Sequence, residues 1–206
     1  MKKILFAFTC MVLLSSFSIA SAELPPQLQN AYEKVIADYT NRINNNPNDA
    51  IAYCKRGNEY VIGGKYDLAI ADFDKAIEIN PKYAYAYFKR GLVYNRKEEA
   101  DLAIADFKKT IELEPHYPAP YNSLGDLYLK KGQYDLAINT FKKEIELNPE
   151  ATLAYWGLAK SYEDHALYSE AIKVYRLIIH QKSSDLLSST LREEAKDKIV
   201  ELGEIL

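Results

Sequence analysis

Catalysis by acid–base, nucleophilic or metal chemistry needs histidine, cysteine or carboxylate groups brought together, and this 206-residue chain offers few in a working pattern. Its three histidines, His116, His165 and His180, are scattered, with no pair four residues apart that would place two ligands on one helix face. Cys54 has no histidine near it in sequence, which argues for a small half-buried packing residue and against an activated thiolate. Gly63-Gly64 lacks the following Lys-Ser/Thr that a phosphate-cradling loop requires. No catalytic residue, metal site or cofactor is expected. The chemistry that remains is recognition. Asn58, Asn95, Arg96, Asn122 and Lys130 carry amide and cationic groups able to hydrogen-bond a backbone or hold a carboxylate. Tyr85, Phe88, Leu92 and Trp156 could bury apolar groups of a partner.

The elements that must position these side chains are set out by a repeat. Pro47, Pro81, Pro115 and Pro149 are 34 residues apart, and Tyr60, Tyr94, Tyr128 and Tyr162 keep the same period. So do Gly57, Gly91, Gly125 and Ala159, then Ala69, Ala103, Ala137 and Ala171, then Phe73, Phe107, Phe141 and Tyr175. A fixed period of this length means stacked copies of one supersecondary unit. Within 50–83, a proline-free helical run ends at Gly63-Gly64, and a second from Tyr66 to Ile79 puts Ala69, Ile70, Phe73, Ala76 and Ile77 on one face. Asp67 suits the first turn of that second helix, and Pro81 ends it by pushing Asn80 out of the helical region. A glycine inside a helix costs about 1 kcal/mol against alanine. Its recurrence predicts close approach of the two helices, with the phenylalanines filling space between units.

Tyr53-x-x-x-Gly57-x-x-Tyr60, Tyr66-x-x-Ala69-x-x-x-Phe73 and Pro81, repeated in the next units, resemble the tetratricopeptide repeat (TPR) family. The resemblance covers four units, 50–83, 84–117, 118–151 and 152–183, and implies an all-α, right-handed superhelical solenoid of helix-turn-helix units. Ala159 in place of glycine, and the lack of a proline near Ser183, mark the last unit as a frayed copy.

The resemblance also implies that one stripe of each first helix lines a concave groove that takes extended peptides. Counting from Ala50, Ala84, Pro118 and Thr152, the stripe is positions 2, 5, 9, 12 and 13. It carries Ile51, Asn58, Tyr85, Phe88, Leu92, Asn95, Arg96, Asn122, Asp126, Lys130, Trp156 and Lys160, together with Cys54, Ala119 and Leu153. Its aromatics either meet a partner or pack sideways on a neighbouring unit, and groove contact is the expectation. Some TPR domains grip the C-terminal carboxylate of cytosolic chaperones with a set of lysine, asparagine and arginine. In the matching places this chain has Cys54, Asn58, Lys89, Ala119 and Ser123, so only Asn58 agrees and that function is not carried over.

Both ends of the stack are expected to be capped. In 23–49, the stripe Tyr32, Val35, Ile36, Tyr39 and Ile43 predicts a lone helix of the second type. In 184–206, a polar break through Ser189 precedes a helix with Leu191, Ala195, Ile199, Leu202 and Leu206 on one side, and Thr190 and Glu193 have capping-box spacing.

Residues 1–22 look like a secretory signal: Met1-Lys2-Lys3, an apolar stretch to Leu14, and Ala20-Ser21-Ala22 before Glu23. The apolar run is short of the roughly 20 residues a spanning helix needs, and Ala7 and Thr9 do not fit lipid attachment at Cys10. Cleavage after Ala22 would leave one thiol, Cys54, and 24 basic against 29 acidic side chains. That mildly acidic balance disfavours nucleic acid and anionic lipid as partners. The sequence thus predicts an exported, periplasmic or secreted, non-catalytic scaffold binding a protein or peptide segment. A homo-oligomeric structural subunit that pairs through its caps or convex face is the alternative.

Overall fold

The computed structural model describes residues 26–181 and 186–203, so the expected signal at 1–22 lies outside the described residues. The described residues form ten α-helices and no strand. They are α1 (Pro26–Asn45), α2 (Ala50–Ile62), α3 (Tyr66–Ile79), α4 (Ala84–Arg96), α5 (Ala100–Leu113), α6 (Ala119–Lys130), α7 (Tyr134–Leu147), α8 (Thr152–Asp164), α9 (Tyr168–His180) and α10 (Leu186–Gly203). None is long and apolar enough to cross a membrane.

Each helix packs on the next, and each first helix lies closest to the second helix of its own unit. Successive first helices also touch, α2 with α4 and α6 with α8, whereas successive second helices do not pack on each other to a comparable extent. The first helices therefore lie on the inside of the curve.

The recurring glycines are the points of closest approach. A Cβ built on Gly57, Gly91 or Gly125 would stand 2.8, 2.8 and 2.7 Å from a ring carbon of Phe73, Phe107 and Phe141 respectively. All three rings are fully buried. Phe141 also presses on Gly157 of the next unit, where an added Cβ would lie 2.3 Å away. One phenylalanine thus seals a unit and its junction.

The turn inside each unit is equally regular. Gly64, Glu98, Gly132 and Ala166, 34 apart, all adopt positive φ between 58° and 69°. The N–H of Lys65, Glu99, Gln133 and Leu167 then donates to the carbonyl of Tyr60, Tyr94, Tyr128 and Tyr162 at 2.8–2.9 Å. This closing bond is the usual C-terminal stop of a helix with a left-handed residue beyond it. Glycine provides that conformation without strain at Gly64 and Gly132; Glu98 and Ala166 adopt it despite their Cβ.

The first two units are clamped by ion pairs that the last two lack. Arg56 and Arg90 each form a forked pair across their unit, with Asp72 and Asp106 at 2.7–2.8 Å. Leu124 and Thr140, then Leu158 and Val174, stand at these places in the third and fourth units. The large apolar cluster accordingly runs from Phe88 through Leu124 and Leu158 to Leu202.

The closing helix differs from its sequence expectation. It begins at Leu186, which continues the 34-residue spacing of Ala50, Ala84 and Thr152, so it stacks on α9 in the place of a further first helix. Thr190 and Glu193 are inside it and form no capping box. The Thr190 hydroxyl donates back to the Leu186 carbonyl at 3.0 Å, and Glu193 pairs with Lys196. The helix is tied down by polar contacts peculiar to the fourth unit. Tyr175, where the other units have phenylalanine, donates to Glu163 at 2.7 Å, and Lys198 of α10 reaches the same carboxylate at 3.1 Å.

Candidate functional site

The inner stripe divides by position. Position 5 has largely gone into packing: Cys54 is fully buried, and Phe88, only 7% exposed, lies against Phe107 and Tyr117 with ring centroids 5.9 and 5.2 Å away. Phe88 is therefore core, a correction to its expected place in the groove. The cause is the step between units, which brings Tyr117 of the following linker over its ring. Trp156 is half-buried and stands edge-on to Tyr175 at 5.3 Å. Burial pushes the Cys54 thiol up to about 11, which keeps it a neutral packing group.

Ile51 and Leu153 at position 2, and Arg96, Asp126 and Lys130 towards the C-terminal part of the stripe, stay open. Ile51 is 53% exposed and Leu153 nearly as much. Asn58, Tyr85, Leu92, Asn95, Asn122 and Lys160 are half-buried, Leu92 resting on the apolar cluster and Lys160 paired with Glu163 and Asp164 at 3.1 and 2.8 Å. Water reaches Asp126, yet the protein around it raises its carboxyl, with the Lys130 charge opposing. A side chain both wet and surrounded belongs to a concave surface. The geometry offers amides along an inner face, flanked by exposed aliphatic groups, and suits main-chain hydrogen bonding of an extended segment.

One functional group on this face was missed in the sequence. Glu144 on α7 is 6% exposed, and its Oε2 is buried without a hydrogen-bond partner. It lines a cavity of about 340 Å3 with Asn122, Asn148, Thr152, Leu153 and Ser188. The signal was available: at this place in the period the other units carry Ala76, Thr110 and Ile178. A carboxylate in a small or apolar column is out of pattern.

Burial pushes the Glu144 carboxyl up to about 7; a hydrogen bond from Asn122 opposes the rise and the charge of Asp126 adds to it. An unfolded glutamate titrates near 4.5. The folded chain therefore holds an extra proton between those values. Stability from this group is complete below about pH 4.5 and is lost as pH rises through about 7. Urea midpoints of the wild type should fall between pH 5 and pH 8, and Glu144→Gln should remove that part of the slope. An unchanged slope in the variant would show that Glu144 does not titrate in this range.

Comparison with known proteins came down to repeats of one kind. A model described as "TPR repeat" matches residues 57–98, and two described as "Tetratricopeptide repeat" match 84–117 and 122–185. No curated protein matches the chain. Among solved structures, the crystal structure of MamA is similar with a TM-score of 0.68 at 24% identity, over 86% of this chain and 99% of that one. YrrB, a TPR protein with an unusual peptide-binding site, gives 0.66 at 25% identity, over 80% and 88%. The first TPR of Spaghetti (RPAP3), bound to the HSP90 peptide SRMEEVD, gives 0.55 at 25% identity, over 57% and 93%.

Proposed function

The chain belongs to the tetratricopeptide repeat family, and from that premise we propose that it is a non-catalytic scaffold that binds an extended segment of a partner protein along its inner face. The observation that carries this is that the stripe of the first helices holds half-buried amides, Asn58, Asn95 and Asn122, together with the exposed Ile51 and Leu153. The unusual peptide-binding site of the similar YrrB and the peptide bound to the similar RPAP3 domain support peptide recognition as such. It does not extend to a carboxylate clamp, since Cys54, Lys89, Ala119 and Ser123 occupy four of the five places such a clamp uses. The positive start, short apolar run and Ala20-Ser21-Ala22 favour export to the cell envelope, periplasmic or secreted, as the setting.

A display library of random dodecapeptides, selected on the full-length chain, tests the groove directly. Selected peptides should lose at least tenfold in affinity for an Asn58→Ala/Tyr85→Ala/Asn95→Ala variant of unchanged helicity. Recovery of no peptide, or of peptides indifferent to the variant, sinks the proposal.

A second reading has one observation behind it. Leu68, Leu102 and Leu136, 34 residues apart on the outer helices α3, α5 and α7, are each about half exposed. A row of exposed leucines suits self-association through the convex face. Sedimentation across a concentration series separates the two readings, because only the second makes particle size rise with concentration.

A further inference from the structure

We propose that the cavity between the third unit, the fourth unit and the closing helix is a cation-accepting subsite of the groove, in which Glu144 receives the ammonium or guanidinium of a basic side chain on the bound peptide. This rests on the groove reading and names what that groove selects.

Three features carry it. First, nothing in the repeat requires a carboxylate here. Ala76, Thr110 and Ile178 fill the equivalent place and are buried, and the Thr110 hydroxyl is satisfied by the Asp106 carbonyl at 2.9 Å. Among these four equivalents Glu144 alone brings a buried oxygen that finds no partner, and leaving a buried acceptor unpaired costs free energy that a donor on a ligand would recover. Second, the surroundings are those of a cation site. The cavity wall adds Asn122, Asn148, Glu150 and Thr152, and among the described residues no lysine or arginine lines it. Asp126 acts on Glu144 from the neighbouring helix with a further negative charge. Carboxylate and amide oxygens together suit three ammonium hydrogens or a guanidinium fork. Third, Leu153 and Leu187 line the same cavity and are each about half exposed. They provide an apolar wall for the methylene stem of a long basic side chain, which buries its stem and pairs its head. Asn122 and Leu153 belong to the inner stripe, so a peptide lying there would deliver such a side chain without leaving the groove.

The test uses the same random dodecapeptide selection, run on the full-length wild type. The selected peptides should carry lysine or arginine at one fixed place. Changing that peptide residue to glutamine should weaken binding at least tenfold on the wild type and less than twofold on Glu144→Gln. Glu144→Thr, which gives the third unit the residue that the second carries at Thr110, serves if the glutamine variant does not fold. Peptides that need Asn58, Tyr85 and Asn95 but show no basic preference, or bind Glu144→Gln as tightly as wild type, overturn the subsite and leave the groove standing. Peptides indifferent to those three residues, or none at all, overturn both.

Discussion

Phe141→Ala should lower stability by about 3–5 kcal/mol, the range for truncating a buried aromatic, which is a large part of the 5–15 kcal/mol typical of a folded domain. The ring is fully buried and is held between Gly125 of its own unit and Gly157 of the next. Its loss therefore opens one unit and loosens the junction that carries the fourth unit and α10. Gly157→Ala alone should also destabilise, because its Cβ would overlap the ring at 2.3 Å by more than the roughly 1 kcal/mol that alanine gains over glycine in a helix. In the Phe141→Ala background the same methyl group would enter the vacated space. The double variant should then be less destabilised than the sum of the two, with a coupling of about 0.5–3 kcal/mol. Urea denaturation of the four proteins measures this cycle. Additive effects would mean that the two residues do not share one contact.

Arg90→Ala should cost about 3–5 kcal/mol, the penalty for leaving a buried charge without its partner. Asp106 has only 6% of its side chain exposed and accepts from the Nε and one Nη of the guanidinium at 2.8 and 2.7 Å. Asp74 of the preceding unit holds the remaining arm, so the first two units also loosen from one another. The repeat itself contains the compensating change. The fourth unit manages the same helix pair with Leu158 and Val174, both buried. Arg90→Leu with Asp106→Val should therefore recover most of the loss, since a packed apolar pair often equals or exceeds a buried ion pair. Thermal melts of the single and double variants check it. A double variant as unstable as Arg90→Ala would show that the pair does more than fill this space, through its link to Asp74.

Much of this architecture was legible in the chain. A 34-residue period predicts that the two helices of a unit approach closely at Gly57 and Gly91. It set the phenylalanines between units, whereas Phe73 and Phe107 press on the glycine of their own unit. Helical spacing put Asn58, Asn95 and Asn122 on one stripe, and the TPR resemblance implied that this stripe faces inward. The period also extended to Leu186, but the polar stretch through Ser189 hid it. α10 starts there because its place in the stack is decided by packing on α9 and by the contacts of Ser188 with Thr152 and Lys198 with Glu163, at 3.0 and 3.1 Å.

What the sequence determined by itself was unit length, the pairing of helices within a unit and their close approach at the recurring glycines, while the TPR resemblance implied which face turns inward. Tertiary structure alone decided which inner side chains remain open. Phe88, Asn122 and Trp156 occupy one position of the period, yet Phe88 is core, Trp156 leans on Tyr175 and Asn122 faces the Glu144 cavity. Periodicity specifies the direction a side chain leaves its helix. Whether it ends in protein or in water depends on the next unit, whose residues at the junction are where the copies differ.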